Sequence, residues 1–378
     1  MNVLPPAAVA SLGGRLTIDL GAIQRNWQAL DSISQGALTG AVVKADAYGL
    51  GIQQVAPALA AAGAQFFFTA TIDEALAVRN AVPGAHIFVL DGLFPRAAEI
   101  YAQHRLMPCL SSLPMLEEWL TLCVSRNEAI PAALHFDTGM NRLGFRLGEA
   151  SIVKRMVDQL GFEPQMIMSH LACADQPQHE KNRTQLALFQ AVIAQFPETP
   201  ASLSNSAGMM IAREHHFQMV RPGIALYGGR AVNGRKNPMA HVATLEAPVL
   251  QIKDAKTGED VGYGATQTLV RDSRLAILGI GYADGMFRSL SSSNARPGGK
   301  VAWRGTLVPI IGRVSMDLVA VDITDLGDDI PVQGSMVEVL GPTISVDDQA
   351  EWAGTIGYEV LTSLKGRYER SYVGLDPV

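Results

Sequence analysis

A lysine stands where an apolar run ends. In AVVKADAYGLG, residues 41–51, three residues suited to a buried strand lead into Lys44, and a loop with Tyr48, Gly49 and Gly51 follows. A lysine flanked by apolar residues loses solvation, which lowers its pKa. A neutral amine can then attack a carbonyl and form a Schiff base. Taken alone, Lys44 is as readily a strand-end residue whose stem packs while its ammonium reaches water. Other polar residues fall at comparable places. Asp137 ends an apolar run with Asn141 and Arg142 close behind, and His170 ends the next. Asn205 and Ser206 follow a third, and Arg221 ends a fourth. The segments SNSAG (204–208) and RPGIALYGG (221–229) carry the small residues an anion cradle needs. Glycine lets backbone amides approach an anion closely, Ser206 adds a hydroxyl, and a helix beginning just beyond it adds N–H groups. The same residue types also make turns and N-caps. A desolvated lysine together with a phosphate cradle points to pyridoxal 5'-phosphate, which needs both. Arg221 bears on the same cofactor. It cannot accept a proton, so set against the pyridine nitrogen it would leave that nitrogen unprotonated and weaken the electron sink. On its own it would serve equally well as a structural ion-pair partner.

These residues need a scaffold that brings strand ends together. From about residue 40 to 228, short apolar strands alternate with helical patterns such as DEALAVRN and LPMLEEWLTLC. The expected strands are Ala41–Lys44, Phe66–Thr71, Ile87–Leu90, Met107–Ser111, Ala132–Asp137, Gln165–His170, Ala201–Ser204 and Phe217–Arg221. Near-continuous apolar strands alternating with helices indicate a parallel sheet covered by helices. Eight repeats of that unit indicate a (β/α)8 TIM barrel, with a doubly wound sheet as the alternative, and barrels collect reactive groups at the C-terminal ends of their strands. After about residue 240 the segments VATLEAPVLQIKDA, SRLAILGIGYADG and KVAWRGTLVPIIGRVSMDLVAVDIT are strand-rich with Gly, Asp and Pro turns. An α/β chain therefore follows, with a barrel over 14–240 and a mostly β C-terminal domain over 241–378. Residues 1–13 are candidates to pack with the second domain, and the early strand RLTIDL can join either.

Composition narrows the function. The 378 residues suggest about two to three domains. The net charge of −6, with no dense basic run, argues against a nucleic-acid partner. The three cysteines, Cys109, Cys123 and Cys173, are widely spaced, lack a CxxC pair and fit a reducing, cytoplasmic compartment; no metal site is expected. The N-terminal MNVLPPAAVASLGG lacks a positive n-region and is broken by Pro5 and Pro6, so it does not read as a signal peptide. No stretch reads as a membrane span.

At this point the motifs resemble a known family. AVVKADAYGLG resembles the cofactor-lysine signature of alanine racemases. HFDTGMNRLG, MSHLACAD, LSNSAG, VRPGIALYG, VGYGAT, GIGYADG, GRVSMDL and IGYEVLTSL match motifs of that family in family order, over nearly the whole chain. The resemblance implies a barrel followed by a β domain, in a head-to-tail homodimer with active sites shared between subunits. It implies that Lys44 is the Schiff-base lysine, that Tyr48, Ser206, Gly223, Ile224 and Tyr358 contact the cofactor phosphate, and that Asn205 belongs to the cofactor-binding set. Arg221 matches the arginine on the pyridine nitrogen. His170 matches the histidine that connects it to the catalytic tyrosine. Tyr263 matches that tyrosine, supplied by the other subunit. Arg142 and Met316 match residues that hold the substrate carboxylate, and Tyr282, Arg288, Ile356 and Tyr358 resemble an entrance gate. The implied reaction interconverts L- and D-alanine by a two-base mechanism, feeding D-alanine to peptidoglycan or degrading it. Lys44 and Tyr263 serve opposite faces, because one rigid base cannot easily serve both. A phenol with a pKa near ~10 needs help to act as a base. One position departs from the family. Many relatives carry a carbamylated lysine where this chain has His135, so a bound anion such as chloride, or the neutral imidazole itself, is expected to hold Arg142 here. A non-catalytic cofactor-homeostasis protein would lack the β domain. A related amino-acid decarboxylase would carry a reactive cysteine near its C-terminus, and none follows Cys173. A cofactor-free aldolase would leave the phosphate loops unexplained.

Overall fold

The computed structural model describes residues 13–375. Residues 1–12 lie outside them, and with them nearly all of the segment expected to pack with the second domain. The chain divides into two compact units. One holds Ile23–Leu226 and Arg230–Ala240; the other holds Tyr227–Gly229, His241 onward and the residues before Ile23. Strand β1 (Arg15–Asp19) resolves the question left open for RLTIDL. It lies antiparallel to β11 (Ala243–Ala255) and parallel to β17 (Glu369–Val373), so the barrel unit starts at Ile23, where the sequence reading began it at residue 14. Leu16 and Ile18 alternate inward and are fully buried.

The barrel unit contains β2 (Leu38–Thr39), β3 (Ala41–Val42), β4 (Phe66–Thr69), β5 (His86–Val89), β6 (Leu106–Leu110), β7 (Ala133–His135), β8 (Met166–Met168), β9 (Ala201–Ser202) and β10 (Met219–Val220). β3 to β9 form a parallel sheet in chain order, and β10 pairs in parallel with β2. The ring is closed at both remaining seams. Arg221 N–H donates to Ser204 O at 2.9 Å, and Val42 N–H donates to Pro222 O at 3.0 Å. Gly40 divides the first strand into β2 and β3. A Cβ there would lie 2.6 Å from the Phe68 ring, so only glycine lets the strand pass so close. Apart from Leu38, Phe66 and His86 at strand starts, the strand residues are buried, as an enclosed parallel barrel requires, and the rings of Phe68 and Phe88 stack at 4.9 Å within it.

The second unit is mostly β. Besides β1, β11 and β17 it has β12 (Ser273–Leu278), β13 (Lys300–Trp303), β14 (Thr306–Ile311), β15 (Val319–Asp322) and β16 (Met336–Leu340). Pairings run β11–β12–β15–β14–β13–β16 and back to β11, so these strands close on themselves. β11 reaches both neighbours because its register shifts twice along its length, and bulges bend a strand in this way. Among the described residues, no helix is long and apolar enough to cross a membrane.

Candidate active site

In the barrel unit the residues singled out by sequence gather at the carboxyl ends of the strands. β3 ends at Val42, so Lys44 sits two residues beyond it at the start of a turn. Burial lowers its pKa; Arg142 lowers it further, and Asp91 and Glu74 oppose the shift. The amine is thus biased toward the neutral, nucleophilic form. The turn itself is unusual. Ala45, Asp46, Ala47 and Tyr48 all have φ between +52° and +57°. Each such residue without glycine's freedom costs about 1–2 kcal/mol, and such runs are held only by their surroundings. Asp46 helps hold this one, since its Oδ1 accepts the Ile52 N–H at 2.8 Å.

The expected anion cradle is present. Asn205 is the N-cap of the helix Ser206–Ile211, its Oδ1 accepting the Gly208 N–H at 2.9 Å. This commits its side chain to capping. Ser206 Oγ accepts N–H groups from Gly223 at 2.8 Å and Ala225 at 3.4 Å. A hydroxyl has two acceptor sites and one donor. With both acceptor sites occupied, the Ser206 proton is left to be donated. Gly223 is required by close approach, because a Cβ there would lie 2.2 Å from the Tyr48 hydroxyl oxygen. Ile224 is buried beside it and opens a short 3-10 turn. Two hydroxyls beside a glycine suit the phosphate of pyridoxal phosphate, so the residues present fit the group.

Arg221 is 4% exposed. Its Nη2 donates to Ser169 O at 2.5 Å, its Nη1 donates to Ser202 Oγ, and the guanidinium lies 6.0 Å from the Phe68 ring centroid. These partners are neutral, and burial pushes its pKa down to about 10, so it stays charged at neutral pH. His170 is partly exposed and held by its own backbone, its carbonyl accepting from Gln185 Nε2 at 2.9 Å. Although the residue keeps some surface, enclosure of the ring lowers its pKa well below the usual histidine value, and the charges of Arg221, Arg142, His135 and Lys44 lower it further. No hydrogen bond joins His170 to Arg221 among the described residues, so their coupling here is electrostatic.

His135 is 8% exposed, and burial followed by the charges of Arg221 and Arg142 pushes its pKa down to about 4. Its Nδ1 has no hydrogen-bond partner among the described residues, and no hydrogen bond ties the ring to Arg142. Asp137 serves the loop. Its Oδ1 accepts from Gly139 and Met140 at 2.8 Å, and its Oδ2 accepts from Asn141 at 2.9 Å. Burial would raise its pKa, but these N–H donors outweigh burial and lower it. They fold the loop that carries Arg142, which is exposed. Two residues near Lys44 were not singled out by sequence, Glu74 and Asp91. Burial raises the Asp91 pKa while Lys44 lowers it.

The β unit carries the remaining candidates. Tyr263 lies on a 3-10 turn between Gly262 and Gly264, both left-handed, and is 71% exposed. Arg313 packs against that turn, its Nη1 lying 2.9 Å from where a Gly264 Cβ would be. Both line a concave surface of about 830 Å³ that also includes Leu275, Ile277 and Leu318. Met316 O accepts the Ala283 N–H at 3.0 Å and Ser315 O accepts the Tyr282 N–H at 3.0 Å. This locks the Tyr282 and Met316 loops together. Arg288 opens another short turn, and Ile356 and Tyr358 flank the start of the helix Gly357–Thr362. The side chains of Met316, Tyr282, Ile356 and Tyr358 are exposed.

A half-buried barrel lysine biased toward its neutral form, on the same rim as a two-hydroxyl anion cradle and a buried arginine, defines a pyridoxal-phosphate Schiff-base enzyme of the barrel class. Comparison with known proteins places it more closely. The model of the alanine racemase N-terminal domain matches residues 18–231, and that of the alanine racemase C-terminal domain matches residues 242–372. An alanine racemase of Rhizobium meliloti is 45% identical over 371 residues, covering 96% of this chain and 98% of that protein. A biosynthetic alanine racemase of Agrobacterium fabrum is 45% identical, covering 96% and 94%. The crystal structure of the Bartonella henselae alanine racemase with covalently bound pyridoxal phosphate has a TM-score of 0.90 at 39% identity, covering 96% of this chain and 99% of that one. The chain belongs to the alanine racemase family, which makes it a pyridoxal-phosphate-dependent amino-acid racemase.

Proposed function

We propose that the chain interconverts L- and D-alanine with Lys44 and Tyr263 as its two proton-handling groups, Tyr263 reaching the site from a second copy in a homodimer. The observation that carries this is Lys44, which burial biases toward its neutral form on the same barrel rim as the anion cradle. Pyridoxal phosphate, when bound, draws electrons away from the substrate Cα–H bond. The protein does the rest. Tyr48 and Ser206 hold the phosphate with Gly223 and Ile224, and Tyr358 adds to that set. Asn205 starts the helix that presents Ser206. Arg221 would meet the ring nitrogen of the bound cofactor and, being unable to accept a proton, would keep it unprotonated. Lys44 Nζ takes or returns the α-proton on one face, and the Tyr263 phenol does so on the other. Arg142 and Met316 orient the substrate carboxylate. The exposure of Tyr263, on a concave surface lined by Leu275, Ile277 and Leu318 as well as by charged residues such as Glu259 and Arg313, supports its donation to another subunit. The free cysteines support a cytoplasmic location.

Subunit mixing tests the assignment. Lys44→Ala and Tyr263→Phe are each expected to abolish racemisation. A mixed dimer of the two has one site carrying both defects and one site carrying neither, so combining them under exchange conditions should restore activity. No recovery, with mixed dimers shown to form by mass spectrometry, would place both residues in one chain's site and defeat the shared arrangement.

A further inference from the structure

Glu74 lies one strand away from Lys44, in the first turn of the helix Ile72–Ala81. In a capping box this carboxylate serves its own helix N-terminus, and here one oxygen does so. Oε2 accepts the N–H of Ala70 at 2.8 Å and of Thr71 at 3.4 Å, while Thr71 Oγ1 accepts the Glu74 N–H at 3.4 Å. The other oxygen leaves the motif. Oε1 accepts the Ala45 N–H at 2.7 Å, the shortest of these contacts. That N–H belongs to the peptide joining Lys44 to Ala45, so the carboxylate fixes the plane from which the lysine side chain departs. It also grips the first residue of the left-handed run Ala45–Tyr48, which no glycine relieves. The carboxylate therefore ties the carboxyl end of β3 to that of β4. A formal negative charge accepting three N–H groups makes stronger bonds than a neutral acceptor would.

We propose that Glu74 is a positioning residue for Lys44, holding the Lys44–Ala45 peptide and the left-handed turn so that the amine is aimed into the site. This rests on the reading of Lys44 as the Schiff-base lysine. Removing the carboxylate frees the turn to relax, and the amine moves with it. Glu74 also supplies a negative charge that opposes the depression of the Lys44 pKa.

Three variants of the holoenzyme separate positioning from helix capping. Glu74→Ala removes both functions. Thr71→Ala weakens the cap and leaves the Ala45 bond intact. Glu74→Gln keeps the volume, but its amide NH2 must face either Ala45 or the Ala70 and Thr71 N–H groups. Glu74→Ala is expected to lower kcat by roughly tenfold to a hundredfold with KM for alanine little changed, the scale set by small misplacements of reacting groups. It should also lower the pH midpoint of the bound cofactor's visible absorbance, as loss of a nearby negative charge requires. Glu74→Gln should lose roughly tenfold in kcat. Thr71→Ala should leave both readouts at wild-type values even where its Tm falls. Wild-type kcat and absorbance midpoint in Glu74→Gln, or equal losses in Thr71→Ala and Glu74→Ala, would overturn the proposal. Borohydride reduction and peptide mapping of the wild type separate the two claims. Label on another lysine sinks the site reading and the positioning role with it, whereas label on Lys44 with unaffected Glu74 variants sinks the positioning role alone.

Discussion

His135 turns burial into a dependence on pH. Its folded pKa of about 4 lies below its ordinary value of 6.5. Between those values the unfolded chain holds a proton that the folded chain does not, so stability rises with pH across the window and is lost as pH falls through it. The size is on the order of 3 kcal/mol for a shift of this extent. His170 is depressed in the same direction and adds to the slope. His135→Leu should therefore flatten, without abolishing, the rise in unfolding free energy between pH 4 and 6.5, as measured by urea denaturation at stepped pH. An unchanged slope would mean that the imidazole is solvated and titrates normally. Legibility at this scale was uneven. Lys44, Ser206 and Arg221 showed themselves by ending apolar runs. Glu74 did not, because DEALAVRN reads as a solvated helix start and its decisive bond goes to a backbone N–H twenty-nine positions away. Asp91 was hidden for a similar reason, since its neighbours are supplied by other strands.

At the scale of elements, the alternation of strand and helix was plain in sequence because each barrel strand is a short apolar run with a helix after it. The ends were less plain. The first strand was expected to reach Lys44 and stops at Val42, and the seventh was expected to reach Ser204 and stops at Ser202. In both cases the residues beyond keep an apolar look but turn away to build the rim. The left-handed run after Lys44 was invisible, for Ala, Asp, Ala and Tyr carry no mark of positive φ. A second device is also tertiary. Arg79, in the helix that carries Glu74, donates to the carbonyls of His104, Pro83, Ala85 and Arg105 at 2.7–3.0 Å. It gathers the loops before β5 and β6 at the end of the barrel away from the site. Arg79→Met keeps the aliphatic stem and removes all four bonds, of which the one to Ala85 O is part-buried and the others exposed. It should cost about 2–3 kcal/mol by denaturant unfolding, with kcat unchanged. A loss below ~0.5 kcal/mol would show that water replaces the guanidinium without penalty.

For the molecule as a whole, the two-part plan was readable from the change in texture near residue 240, but not the ownership of the first strand. RLTIDL alternates in a way that suits either unit, and only pairing decides. β1 is hydrogen-bonded on both sides, to β11 and to β17. Residues 241–378 expressed alone should therefore lack a central strand and leave β17 unpaired. Such a fragment should give poorly dispersed amide NMR signals. Ile18 lies opposite Ala243 in an antiparallel register, so a short turn can join residues 13–19 directly ahead of 243. That fusion should restore a dispersed spectrum. Native-like dispersion from the unextended fragment would show β1 to be dispensable.

The same strand sets a schedule for the ribosome. β1 leaves the exit tunnel early, yet its last neighbour ends at Val373. At roughly 5–20 residues per second that neighbour emerges tens of seconds later. Until β11 emerges the strand has neither neighbour, and until β17 follows one edge stays open, so the nascent chain must shelter a sticky segment while much of the protein is still being made.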